Sequence, residues 1–125
     1  MLFIRPAQKA LFAQQAVDRF VQQMIEHIRE HLPRHYDALG ADGARQAVLY
    51  GIERARSYRI ESEAGARVFI QLMFVLGPRF DVDPRLPWAA HYLTAEDDER
   101  SRVSALLAAA TEYMKESGVS PGREA

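Results

Sequence analysis

The sequence predicts an all-α fold, a compact bundle of about four main helices joined by short helical turns. Three observations predict it. Apolar residues recur at intervals of three and four in separate stretches, the period of one helix face. Pro, Gly, Ser and Asp fall at the ends of those stretches, where helices start and stop. Val68-Phe69-Ile70, the run with most strand character, finds no pairing strand elsewhere.

The first helix is expected from Pro6, which suits a first turn because its missing N–H does no harm there. Ala10, Ala13, Val17, Phe20, Val21, Met24, Ile28 and Leu32 make its apolar stripe. It should end near Leu32, because Pro33 disfavours helical geometry in the residue before it. A short turn is expected through Tyr36 and Leu39. Asp42 is then a candidate N-cap for a second helix over about 43–58. That helix places Ala44, Val48, Gly51, Ile52 and Ala55 on one face, small enough for another helix to come close. Tyr50, Arg54 and Tyr58 share a neighbouring face.

Ser62 is the next N-cap candidate, with Glu63 favourable at the positive end of the helix dipole. The central helix over about 63–76 is apolar nearly all round, as a helix in the middle of a bundle should be. Gly77 ends it and Pro78 blocks its continuation. Pro87 opens a short helix through Leu93. Thr94 with Asp97 approximates a capping box for the last helix, whose face runs Val103, Leu106, Leu107, Ala110, Tyr113, Met114. Gly118 should stop it. Residues 1–117 thus read as a single helical domain, and 118–125 as a flexible tail.

Composition narrows the function classes. A chain of 125 residues with 48% hydrophobic content can bury a core without staples. It has no cysteine, which excludes disulfides and thiolate metal sites and fits a reducing compartment. Sixteen basic and seventeen acidic residues give a net charge of −1, with no electrostatic footprint for nucleic acid. No apolar run reaches the ~18 residues of a membrane span. Met1–Pro6 lacks the charge order of a signal peptide, so a cytoplasmic location is expected.

Two groups of residues invite chemistry. His27 and His31 stand one helical turn apart, and His35 follows Pro33. Such spacing can bind zinc, but the zincin helix needs Glu directly after its first His, and Ile28 stands there. Histidines at the negative end of a helix dipole are the plainer explanation. Asp81-Val82-Asp83 invites a calcium loop. The EF-hand pattern fails at Arg85, Leu86 and Tyr92. The plainer explanation is a hinge in which Asp83 or Asp81 accepts backbone N–H bonds before Pro84. No phosphate loop, nucleophile elbow or other complete catalytic constellation is present, so no cofactor and no metal are expected.

The middle third is rich in arginine and aromatic residues. Arg54, Arg56, Arg59, Arg67, Arg79 and Arg85 could grip an acidic partner or phosphate, although such residues are more often solvated or paired locally. Phe69, Phe74, Phe80, Trp88 and Tyr92 gather around the hinge; most should be core, yet Trp and Tyr also anchor interfaces. Arg54, Tyr58, Phe80, Asp81, Trp88 and Tyr92 are the partner-binding candidates.

Residues 50–93 carry the motifs Tyr-Gly-Ile-x-Arg-Ala, Tyr-x-Ile-x-Ser-Glu, Leu-Met-Phe-x-Leu-Gly-x-x-Phe-Asp and Pro-Trp-Ala. Arg5-Pro6 and His27 suit the same pattern. This resembles a family of small bacterial proteins often encoded near type VI secretion spike, adaptor and effector genes. The resemblance implies an accessory role and brings no catalytic residues. The expectation is a non-enzymatic protein-binding factor, a chaperone or adaptor for a secreted effector or spike component. The alternatives are a metal-dependent or acid-base enzyme using His27/His31/His35 or Asp81/Asp83, and an immunity protein. A homodimer would also satisfy the apolar faces.

Overall fold

The computed structural model describes residues 13–118. Helix α1 spans Gln14–His31, α2 Pro33–Ser57 and α3 Glu63–Leu76. A 3-10 turn over Phe80–Val82 leads to α4, Pro87–Leu93, and α5, Glu99–Ser117. No strand occurs among the described residues, so the all-α expectation holds. No helix among them is long and apolar enough to cross a membrane.

α1 buries the expected stripe of Phe20, Val21, Met24 and Ile28. Ala13 is extended (φ −85°, ψ 146°), so this helix begins at Gln14 rather than running on unbroken from Pro6. The predicted stretch 6–12 and the tail beyond Gly118 lie outside the described residues. Pro33 does end α1, but it also opens α2 at once, since proline is suited to a first helical position. The turn expected through Tyr36 and Leu39 is therefore helical. The chain breaks at Gly40, where φ is 75° and ψ 173°, a conformation that favours glycine. Asp42 lies past that break, inside the resumed helix, and does not cap it.

Ser62 caps α3 as its type predicts, accepting a bond from the Gly65 N–H at 3.0 Å. α3 then runs between two apolar clusters. Ala66 and Ile70 face Phe20, Met24, Ile28, Val48 and Ile52 of the α1–α2 hairpin. Phe69, Leu72 and Met73 face Phe80, Leu86, Leu93, Leu106 and Met114 on the α4–α5 side. This two-sided burial is why α3 reads as apolar all round. At Gly51, α2 and α3 come so close that an added Cβ would stand 2.6 Å from Ile70 Cγ1 and 3.0 Å from the Met73 sulfur.

The cap of α5 differs from expectation. Thr94 donates to the Ala90 carbonyl at the end of α4, at 2.7 Å. Asp98, not Thr94, accepts the Ser101 N–H, at 2.7 Å. The Thr94–Asp97 box fails because α4 claims Thr94 and the helix begins only at Glu99. Gly118, in the left-handed region at φ 76°, ends α5 as predicted.

The first turn of α5 holds the bundle together. Arg102 is only 4% exposed. Its guanidinium donates to the carbonyls of Tyr58 (2.8 Å), Leu93 (2.9 Å), Asp97 (3.1 Å) and Arg59 (3.2 Å). Tyr58 and Arg59 directly follow the last residue of α2, and Leu93 ends α4, so a positive charge sits beside two helix C-termini. Glu99 accepts from the Glu61 N–H at 2.9 Å and from the N–H and hydroxyl of Ser62. It thereby sets a negative charge against the start of α3. Gly65 leaves room for it: an added Cβ would stand 2.5 Å from Glu99 Oε2.

Candidate functional site

α2 carries Tyr50, Arg54 and Tyr58 at intervals of four, so the three form one stripe along its C-terminal half. Opposite them, Gly77 ends α3 and the chain curls back: the Phe80 N–H donates to the Gly77 carbonyl at 3.2 Å. Phe80 sinks into the core, 1% exposed, against the ring of Phe69 at 5.1 Å. That insertion carries Asp81 inward as well, also to 1% exposure.

The Asp81 carboxylate meets the α2 stripe. Arg54 Nη2 forms an ion pair with Asp81 Oδ2, and the Tyr58 hydroxyl donates to the same oxygen at 2.8 Å. The Arg54 guanidinium also lies 5.8 Å from the Tyr58 ring centre. Asp81 Oδ1 and Arg54 Nε are buried without a hydrogen-bond partner. The bond to Asp81 raises the Arg54 pKa. Burial, and then the bond to Asp81, push the Tyr58 phenol up to about 12. Tyr58 is therefore a fixed proton donor at physiological pH. Arg54 stays partly open, its side chain 34% exposed.

Asp83 goes the other way. It accepts the Arg85 N–H at 2.9 Å, the expected Asx turn, and takes two bonds from the Arg85 guanidinium at 2.9 and 3.1 Å. Those bonds hold its carboxyl below the ordinary value. Asp81 and Asp83 are thus not brought together: one turns into the core, the other onto its own loop. The backbone-capping reading holds at Asp83, whereas Asp81 is the anchor of a longer-range ion pair.

The histidines also diverge. The rings of His27 and His31 pack at a tilt of 43°, with centroids 4.5 Å apart. His27 Nε2 lies 2.7 Å from the Gln71 amide nitrogen of α3. Burial, then the proximity of His31 and Arg67, lower the His27 pKa, which suits a neutral ring accepting the Gln71 N–H. His35 opens the next helix and packs edge-on against Phe74, 5.9 Å between centres. Among the described residues, no group of three His, Cys, Asp or Glu side chains is placed to hold a metal ion.

Of the partner-binding candidates, the fold brings Arg54, Tyr58 and Asp81 together. Phe80 and Asp81 are interior, each 1% exposed, so neither is open to direct contact with a partner. Trp88 packs on Tyr113 of α5 at 5.8 Å, and Tyr92 lies edge-on to His91. Both are partly buried against the core. No hydrogen bond or ring contact joins either one to the Arg54 cluster among the described residues. Tyr50, one turn before Arg54 on α2, and Val82, next to Asp81 in the chain, are 44% and 50% exposed and were not candidates from sequence. For Tyr50 the signal was its spacing from Arg54; Val82 offered none. No family model matches the sequence, and no curated protein or solved structure shows significant similarity to it.

Proposed function

We propose that this chain is a non-enzymatic protein-binding factor, acting in the cytoplasm as an adaptor or chaperone for a type VI secretion effector. One observation carries the binding part. Asp81 is spent inside the fold, and Arg54 is held by it and by Tyr58 with part of its side chain outward. Arginine and tyrosine are frequent interface anchors, and a side chain already fixed loses less freedom on binding. The secretion context is supported by the motifs in 50–93. Tagged chain, expressed at native level, cross-linked and captured, tests the reading. Recovery of an effector or spike component is expected. Capture of no secretion component would overturn it.

A further inference from the structure

We infer that the contact between His27 of α1 and Gln71 of α3 is an acid-sensitive catch: protonating the His27 ring takes away the acceptor that Gln71 uses and sets a cation against His31 and Arg67, which loosens α1 from α3. This goes beyond the protein-binding reading and does not depend on it.

Besides its apolar stripe, α1 meets α3 through two side-chain contacts. The Arg67 guanidinium lies over the ring of Phe20, 5.8 Å from its centre. One turn further along α3, the Gln71 amide nitrogen lies 2.7 Å from His27 Nε2. An amide nitrogen only donates, so the ring nitrogen accepts and the ring is neutral. His27 is half-buried, three residues after Met24 and next to Ile28, each of which is 1% exposed. Ile70, beside Gln71 in the chain, is fully buried. A change at the polar pair is therefore felt at the apolar cluster that α1, α2 and α3 share.

Rotating the Gln71 amide would offer its oxygen to a protonated ring, so the lost acceptor alone does not open the contact; the charges decide. The His31 ring is 4.5 Å away, centre to centre. Arg67 keeps its charge at all relevant pH values and stands one turn before Gln71 on α3. Glu30 works the other way, but its side chain is 76% exposed and lies 3.9 Å from His31 Nε2. A carboxylate so placed is screened by water and shared with the second imidazole. From α2, His35 packs on Phe74, three residues beyond Gln71, and Tyr36 packs on the shared cluster; neither supplies a carboxylate. Burial, then His31 and Arg67, accordingly hold the His27 pKa below its ordinary 6.5. With α1 open the ring sits in water and takes up a proton more readily than with α1 closed. The catch is thus fully set above 6.5 and is lost as pH falls from there through the lowered value.

The test uses the full chain, isotope-labelled for NMR. The His27 ring should titrate below 6.5. Hydrogen exchange, corrected for its intrinsic dependence on pH, should show α1 amides losing protection by roughly threefold or more between about pH 7.5 and about pH 5, while α5 amides keep theirs. His27→Gln should abolish that loss. Gln71→Glu gives the protonated ring a partner, so it should raise the His27 midpoint above its wild-type value and keep α1 closed in mild acid. Should Gln71→Glu not fold, His31→Gln replaces it, and it too should raise the His27 midpoint. Titration of His27 at or above the ordinary histidine value, α1 protection that does not change or that falls equally in α5, an equal acid loss in His27→Gln, or a midpoint unmoved by the folded charge variant would each overturn the catch.

Discussion

Glu99 and Arg102, one turn apart on α5, grip the two sides of the same connection: Arg102 holds the carbonyls of Tyr58 and Arg59, and Glu99 holds the N–H groups of Glu61 and Ser62. The connection between α2 and α3 is therefore fixed by two opposite charges matched to the helix ends they face.

Arg102→Met should be strongly destabilising. Four carbonyls would lose their donor, that of Leu93 in a buried position and the other three in partly buried ones, and unmade bonds of that kind cost more than their net contribution when formed. A loss of about 3 kcal/mol is expected in urea unfolding. Arg102→Lys should recover only part of it, because three ammonium donors on a point charge cannot span four acceptors. A Met variant with unchanged midpoint would remove the clamp from the account of stability.

The Arg54–Asp81 pair should respond asymmetrically. Arg54→Met leaves Asp81, 1% exposed, as a buried unpaired anion and should cost about 3–5 kcal/mol. Asp81→Leu leaves Arg54, which is 34% exposed and can turn toward water, so about 1–2 kcal/mol is expected. The double variant should be more stable than Arg54→Met alone. Chemical denaturation of the three variants checks this, and equal costs for the two single changes would contradict the burial difference.

Stability should fall at both pH extremes for named reasons. The Tyr58 phenol rises from 10.0 to about 12 in the fold. A raised value means its contribution is fully present below about 10 and is lost as pH climbs through about 12. Wild type should lose stability across that window more steeply than Tyr58→Phe. At the acid end, the bond from the Ser101 N–H holds the Asp98 carboxyl below its ordinary value. Its contribution is present above the ordinary value and lost as pH falls through the lowered one. Asp98→Ala should melt below wild type at neutral pH and converge with it in acid.

Gly51→Ala should destabilise, although alanine gains about 1 kcal/mol of helix propensity over glycine. The new Cβ would stand 2.6 Å from Ile70 Cγ1, so α2 and α3 must part or Ile70 must leave its position. Overpacking of this kind costs about 1–3 kcal/mol, leaving a net loss of up to about 2. A raised melting temperature would show that the contact relaxes freely.

Much of the fold was legible because it is written locally. Ser62, Gly77, Pro87 and Gly118 act on backbone within a few residues of themselves, and each does what its type suggests. Pro33 and Asp98 show the limit of that reading. A proline that ends one helix equally suits the start of another, and among Thr94, Asp97 and Asp98 only the end of α4 decides which residue caps α5. The candidate site was half legible. Arg54 and Tyr58 stood out by type and spacing, but their junction with Asp81 spans 27 and 23 residues of chain, which no local pattern encodes. Arg102 was invisible for a different reason: its acceptors are backbone carbonyls, which every residue has.

The clamp on α5 also imposes an order in time. The groups that hold Tyr58 and Arg59 lie 44 and 43 residues further along the chain. During synthesis, α2 and α3 emerge long before them. Their shared corner waits, with its carbonyls and N–H groups in water, until the ribosome has delivered α5. A nascent chain stalled ahead of Glu99 should be cut by protease at that corner, and one stalled well beyond Gly118 should resist. The last helix is thus the bolt, and the nascent chain spends most of its translation with the door unlatched.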